Sequence, residues 1–277
     1  MCLRVDRHED YESADAPPMT PRLPMRVTVL GSGTSAGVPT LGCGCAVCSS
    51  DDPRNKRLRS SAYIEAAGQR FVIDCGPDFR TQALAHGIRD LDFVLLTHEH
   101  ADHVNGLDDL RAFNMIHGHP IGFYGLARSL REVRRRFAYC FEPAPGGSYV
   151  PQLELHEVDG AFEAGGIAMQ AVPVIHGRLP ITGYRIGAFA WLTDVSAVPD
   201  ESYPLLEGLE VLVTSALRRR AHPLHMSLDE AVALARRVGA ERTWFIHMSH
   251  DLDHETTNRS LPPDIQLAHD GLVIELG

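Results

Sequence analysis

No stretch of this chain approaches the roughly 20 consecutive apolar residues that a bilayer crossing needs. The first 24 residues are polar and acidic, hold four prolines, and lack the apolar run of a signal sequence, so the cytoplasm is the expected compartment. Positive charge is in deficit. Lys and Arg number 26 against 36 Asp and Glu, a formal net charge of −10, which argues against broad affinity for nucleic acid or anionic membrane. Cysteine is sparse, six in 277 residues, which excludes the dense disulfide framework of a small secreted module. There is no internal sequence repeat.

What is present describes an ordinary globular protein. A hydrophobic fraction of 44% is enough for a full core, in one large domain or two modest ones. Residues 1–24 read as a disordered tail and 25–277 as the folded part. Arg26–Leu30 alternates as a strand and runs into Gly31-Ser32-Gly33 and a long Gly/Cys-rich loop. Ser61–Glu65 and Arg70–Asp74 flank a hairpin turn at Ala67-Gly68-Gln69, and Phe79–His86 reads as a short helix. Asp92–Leu96 is a buried strand. The second half repeats this grammar with a basic helix at about 126–137, then strands near Leu153–Val158, Ile167–Val174, Thr182–Ile186 and Phe189–Leu192. A strand at Val211–Val213, an amphipathic helix capped by Ser227, and a strand at Thr243–Ile246 complete the pattern. Such an order predicts two packed sheets with helices outside.

Fifteen histidines stand out, and their placement matters more than their number. Thr97-His98-Glu99-His100-Ala101-Asp102-His103 follows a buried strand. An extended His-x-His segment puts two imidazoles on one side, and the turn beyond brings Asp102 and His103 to a neighbouring point, so one loop can serve two metals. An isolated histidine there would more often be a plain loop residue; this set is too closely spaced for that reading.

The motif resembles the metallo-β-lactamase superfamily, over essentially Met25 to Leu276. The resemblance implies a four-layer αββα sandwich, α/β (α+β) in class, built as a single domain. It implies that His98 and His100 hold one metal with His176, that Asp102 and His103 hold a second with His247, and that Asp194 bridges the two. Asp74 would support the ligands from behind. Mixed imidazole and carboxylate ligands suit two divalent ions, Zn²⁺ or Mn²⁺, sharing a hydroxide as nucleophile.

Cys43-x-Cys45-x-x-Cys48 offers three thiolates and lacks one ligand for a structural Zn²⁺. His250, three residues after His247, is the candidate. The pairing narrows the resemblance to the PhnP-like phosphodiesterases, typified by enzymes acting on phosphoribosyl 1,2-cyclic phosphate. Gly31–Pro39 and Ile246–His250 agree with that group, and His225 matches its substrate-contacting histidine, with His222 the less suitable neighbour. His225 and Asp102 are thus the catalytic candidates. Ser215 departs from the group, standing where similar sequences carry an acid. Arg218, Arg219 and Arg220 are either a phosphate contact or a solvated run, while Arg134–Arg136 reads as helix surface.

The expected function is metal-dependent hydrolysis of a small cyclic phosphodiester, a ribose or nucleotide cyclic phosphate. Two alternatives stand beside it: processing of tRNA 3′ ends, and a non-catalytic metal-binding role like that of the pyrroloquinoline quinone biosynthesis carrier. Acidity and the lack of a basic Gly/Pro-rich insertion weigh against the first, and an intact histidine motif against the second. The expected partner is a small-molecule substrate, not a membrane or nucleic acid, and a homodimer is compatible with the sequence.

Overall fold

The computed structural model describes residues 23–142 and 149–277, so the tail expected over 1–24 lies outside the described residues except for Leu23 and Pro24. Strands and helices are numbered in chain order. The first sheet contains β1 (Met25–Gly31), β2 (Ser61–Ala66), β3 (Gln69–Ile73), β4 (Phe93–Leu95), β5 (Ile121–Gly125) and β6 (Leu153–Glu157). The second contains β7 (Ala161–Ala164), β8 (Ile167–His176), β9 (Leu179–Ile186), β10 (Phe189–Leu192), β11 (Val211–Ser215), β12 (Arg242–Ile246) and β13 (Ile265–Leu267). The last strand, β14 (Val273–Leu276), returns to the first sheet beside β1. Each sheet is antiparallel through one half and parallel through the other, the parallel runs being β3 to β6 and β10 to β13.

Side-chain alternation builds the layers. Phe71 and Ile73 of β3 and Phe93 and Leu95 of β4 face Phe189 and Trp191 of β10 and Val211 and Val213 of β11 across the inter-sheet core. Residues of the opposite parity face outwards but are not exposed. Val72 and Val94 pack beneath α1 (Phe79–Ala85), α3 (Arg111–His117) and α4 (Ala127–Arg136), through Phe79, Phe113, Leu130 and Val133. Ala190, Leu192 and Leu212 pack beneath α5 (Leu228–Val238), through Leu228, Ala231 and Leu234. Strands buried on both faces explain the continuous apolar runs at the centre of the sequence. The four layers expected from the sequence are those observed, in a single domain. Two short helices, α2 (Ala101–Val104) and α6 (His254–Asn258), lie in the loops. Among the described residues no helix is long and apolar enough to cross a membrane.

The strand ends differ from the sequence reading where they matter for the site. β8 continues past Val174 to His176, and β9 begins at Leu179 instead of Thr182, leaving Gly177 and Arg178 as a two-residue turn closed by the His176–Leu179 pair. Gly177 has φ 65°, the positive value that the first position of a type II′ turn demands. A Cβ there would stand 2.4 Å from Leu224 Cδ2, so glycine also answers a close approach.

Candidate metal centre

The site forms where the inner strands of both sheets end. β4 leads into Thr97 and His98, β8 ends on His176, β10 leads to Asp194, and β12 leads directly into His247. Crevices at the carboxyl ends of parallel strands are natural binding places, because neighbouring chains diverge there.

Two ligand groups result. His98, His100, His176 and Asp194 form one, and Asp102, His103, Asp194 and His247 the other, with the donor atoms of each group within 4.8 Å of one another. Asp194 belongs to both. Its Oδ2 lies 3.8 Å from Nε2 of His98 and 3.8 Å from Nε2 of His176, while its Oδ1 lies 3.4 Å from His103 Nε2 and 3.1 Å from His247 Nε2. Each oxygen of one carboxylate therefore addresses one group.

Three of the ligand histidines have their outer ring nitrogen held, while His247 Nδ1 is buried without a partner. His103 Nδ1 donates to Asp74 Oδ2 at 2.6 Å, and Asp74 also accepts from the Thr97 backbone N–H and hydroxyl, both at 2.8 Å. Because the Thr97 hydroxyl donates to Asp74, it is free to accept from His98 Nδ1 at 3.1 Å. His176 Nδ1 donates to the Leu224 carbonyl at 2.8 Å. Fixing the outer nitrogen as N–H leaves Nε2 bare and basic, as a metal ligand requires. Nε2 of His98, His103 and His247 is buried without a hydrogen bond. Orphaned buried nitrogens are costly unless something else engages them. A divalent cation in each group fits these residues.

Charge agrees with this fit. Burial opposes ionisation of Asp194, yet the imidazoles of His247, His103 and His98 hold its carboxyl well below the usual range. Asp102 behaves alike: burial raises it, but His103 and His247 bring it down further. Burial also opposes a charge on His103, but Asp102, Asp194 and Asp74 hold it well above an ordinary histidine. Carboxylates gathered so closely favour positive charge among them.

His225 sits on the open side. Its ring centroid lies 4.6 Å from that of His176 and 4.8 Å from that of His247, on which it stacks, and its buried Nδ1 has no hydrogen-bond partner. Burial and the neighbouring His247 push its pKa down to about 3, so the imidazole is neutral at physiological pH. His222 stands one ring further out, 5.2 Å from His225. An open cleft of about 400 Å³ adjoins, lined by His100, His176, Arg178, Leu179 and Leu224.

The cysteine loop and His250 meet as the sequence suggested. Nδ1 of His250 lies 3.2 Å from Cys43 Sγ, 3.6 Å from Cys45 Sγ and 3.4 Å from Cys48 Sγ. Tetrahedral zinc, with Zn–S of about 2.3 Å and Zn–N of about 2.0 Å, sets sulfur-to-nitrogen edges of about 3.5 Å. The Cys48 backbone N–H bonds to Cys45 Sγ and lowers that thiol to about 7, which favours the thiolate a metal takes.

Several readings change. Ser215, without the acid expected there, accepts the Val195 N–H at 3.0 Å and so anchors the turn behind Asp194. The arginine run is committed elsewhere: Arg218 donates to the carbonyls of Arg220 and Ala221, Arg219 to Thr257, and Arg220 pairs with Asp251. Arg178, unmarked in the sequence, lines the cleft instead. Its only signal was its place two residues beyond His176. Arg136 is no free helix surface, since it donates to the Glu99 carbonyl at 2.7 Å. His117 turns to the Arg89 carbonyl and Asp90, away from the centre.

Known proteins share this fold. A model of the Beta-lactamase superfamily domain matches residues 69–248. A solved structure described as a new diphosphatase from the PhnP family is 47% identical, with a TM-score of 0.85 over 91% of this chain and 97% of that one. Octanoyltransferase of Porphyromonas gingivalis is 43% identical over 255 residues, which are 90% of this chain but 51% of that protein, so the chain spans about half its length. Ribonuclease Z of Methanopyrus kandleri is 28% identical over 273 residues, covering 85% of this chain and 96% of that enzyme. Since the superfamily match takes in more than half of the chain, and the diphosphatase is matched over nearly its whole length, the chain belongs to the metallo-β-lactamase superfamily and is a metal-dependent hydrolase resembling the PhnP group.

Proposed function

We propose that this hydrolase is a phosphodiesterase acting on small cyclic phosphodiesters, ribose or nucleotide cyclic phosphates. In this reading His98, His100 and His176 hold one divalent ion, Asp102, His103 and His247 a second, and Asp194 both, while Cys43, Cys45, Cys48 and His250 hold a structural zinc. The observation that carries it is the His225 ring lying against His176 of one ligand group and His247 of the other, next to an open cleft of about 400 Å³ that His176 and Arg178 line. Bound ions supply Lewis acidity, polarising a phosphoryl oxygen and making water more acidic. The chain's own groups do the rest. Arg178 attracts the anionic ester, and Leu179 and Leu224 flank its organic part. His225 donates its N–H to a phosphoryl oxygen or to the departing oxygen, where charge develops. The PhnP-family diphosphatase supports a phosphorus centre as the point of attack.

The ribonuclease Z relative favours a second reading, tRNA 3′-end processing. Against it stands the net charge of −10. The test is turnover by metal-replete protein of a nucleoside 2′,3′-cyclic phosphate, bis(p-nitrophenyl) phosphate and a tRNA precursor. Hydrolysis of the small esters with the precursor left intact is expected. Cleavage of the precursor alone would reverse the assignment, and inertness towards all three would favour a non-catalytic role.

A further inference from the structure

Glu99 lies between two ligand histidines but takes no part in either ligand group. Its side chain is 5% exposed and reaches the first turn of α4. There Oε2 accepts from the Ser129 hydroxyl at 2.8 Å and Oε1 pairs with Arg128 at 2.7 Å. At the other end of the same helix Arg136 donates to the Glu99 backbone carbonyl at 2.7 Å. One helix thus grips both the side chain and the main chain of a single residue.

The helix gains from this grip as well. α4 has Leu126 at its N-cap position, no side-chain cap and no acid in its first turn, so its first N–H groups and positive dipole end lack local compensation. Glu99 brings a carboxylate to that end from about 30 residues away. Leu130 and Val133 seat the same helix on the first sheet, in one cluster with Val94 of β4 and with Leu96, the residue between that strand and the histidine loop. The grip therefore refers the loop to the sheet beneath it.

We propose that Glu99 is a positioning residue: with Arg128, Ser129 and Arg136 of α4 it clamps the segment carrying His98 and His100, so that both imidazoles are presented together to metal. The proposal rests on the reading that the histidine groups hold metal. It assigns to Glu99 no contact with substrate. Arg128 is half-exposed and stays solvated when its partner is removed, so truncating Glu99 frees the loop without stranding a buried cation.

The experiment compares wild type, Glu99→Ala, Glu99→Gln and Arg136→Ala, purified with metal and titrated with a chelator series. Metal retained by the histidine groups is read by elemental analysis, and occupancy of the thiolate site separately by the sulfur-to-metal charge-transfer band of Co²⁺-substituted protein. Loss of an outer partner bonded directly to a metal ligand costs about 10–100-fold in affinity, and because Glu99 acts one step further out, through the backbone, a loss at the lower end of that range, about 10-fold, is expected. Glu99→Ala should show a loss of that size at the histidine groups, with the thiolate site unchanged. Glu99→Gln, which can still accept from Ser129, should recover part of it, and Arg136→Ala should move in the same direction as Glu99→Ala. Wild-type retention in Glu99→Ala would overturn the proposal. So would an equal loss at the thiolate site with a matching fall in melting temperature, since that describes general destabilisation. Wild-type protein whose histidine groups bind no metal would overturn the metal reading itself, and is recognised before any variant is compared.

Discussion

Asp74, Asp194 and His247 share a backbone conformation that side chains rarely adopt, with φ of 62°, 56° and 58°. Asp74 and His247 follow directly on the end of a strand and Asp194 comes one residue later, and each left-handed turn costs about 1–3 kcal/mol. Asp and His tolerate the region better than most residues, and such strain gathers at functional sites. Here it aims a side chain at the centre while the chain turns away. Asp194→Asn keeps that tolerance and removes the charge, so it separates electrostatics from backbone strain, whereas Asp194→Ala removes both carboxylate and tolerance. Either variant should lose metal from both histidine groups and fall to background turnover while keeping the cysteine-bound zinc. Elemental analysis of folded protein checks this, and full metal content with normal turnover would remove Asp194 from its bridging role. His225 makes a different prediction. Its imidazole is neutral and lies outside both ligand groups, so His225→Ala should keep its metals and melting temperature. A lost hydrogen-bond donor to the charge that develops on oxygen costs about 10²–10³-fold, and the loss should be larger on alkyl or cyclic esters with poor leaving groups than on an aryl ester. Equal, small effects on both substrates would exclude the donor role, and loss of metal would make His225 a ligand.

Among the elements near the site, the cysteine loop has little packing of its own. Residues 40–50 contain no regular helix or strand and few buried apolar side chains beyond Cys48. The loop is fixed by convergence on His250, and also by Arg57. That buried guanidinium donates to the carbonyls of Ser249 and Leu252 and to Asn55, tying the far side of the loop to the segment after His247. Cys45→Ser should therefore lose one zinc per chain and lower the melting temperature, because metal binding to such a site contributes directly to folding. Turnover should fall by less than in Asp194→Ala, since Arg57 still holds the His247 segment. These elements were unequally legible in the sequence. Phe189–Leu192 was readable to the residue, because its apolar run is bounded by turns. β13 and β14, three and four residues long, are too short to show a period, and the two glycines of β5 break its pattern. Pro180 hid the start of β9, and with it the turn of the β8–β9 hairpin and the position of Arg178. Of the residues that the fold brings together, His98 to His103 and the three cysteines were legible from their close spacing, whereas His176, Asp194 and His247 were reached through the family resemblance. The grip of α4 on Glu99 was not legible, because about 30 residues separate partners that carry no motif.

At the scale of the whole molecule, net charge separates the two phosphodiester readings. The chain carries a net charge of −10, and the cation facing the cleft, Arg178, is local. For a small anion, long-range repulsion by the acidic surface and short-range attraction by Arg178 act in opposite directions. Salt weakens the first more than the second, because the Debye length falls to about 8 Å at 0.15 M while a contact inside the cleft is less screened. The kcat/KM for a cyclic phosphodiester should therefore hold steady or rise modestly as salt increases from about 50 to 200 mM. A folded RNA held through 6–10 phosphate contacts behaves oppositely, losing about 10³–10⁵ in affinity over that range as released counterions are replaced. Measuring kcat/KM at several salt concentrations, at fixed metal and with a non-coordinating anion, tests the readings without assuming the natural substrate. Arg178→Gln adds the local arm: with its attraction gone, KM for the small ester should rise while the salt response becomes more positive. A steep fall in wild-type kcat/KM with salt would mean that attraction over many contacts dominates, and the small-ester reading would have to yield.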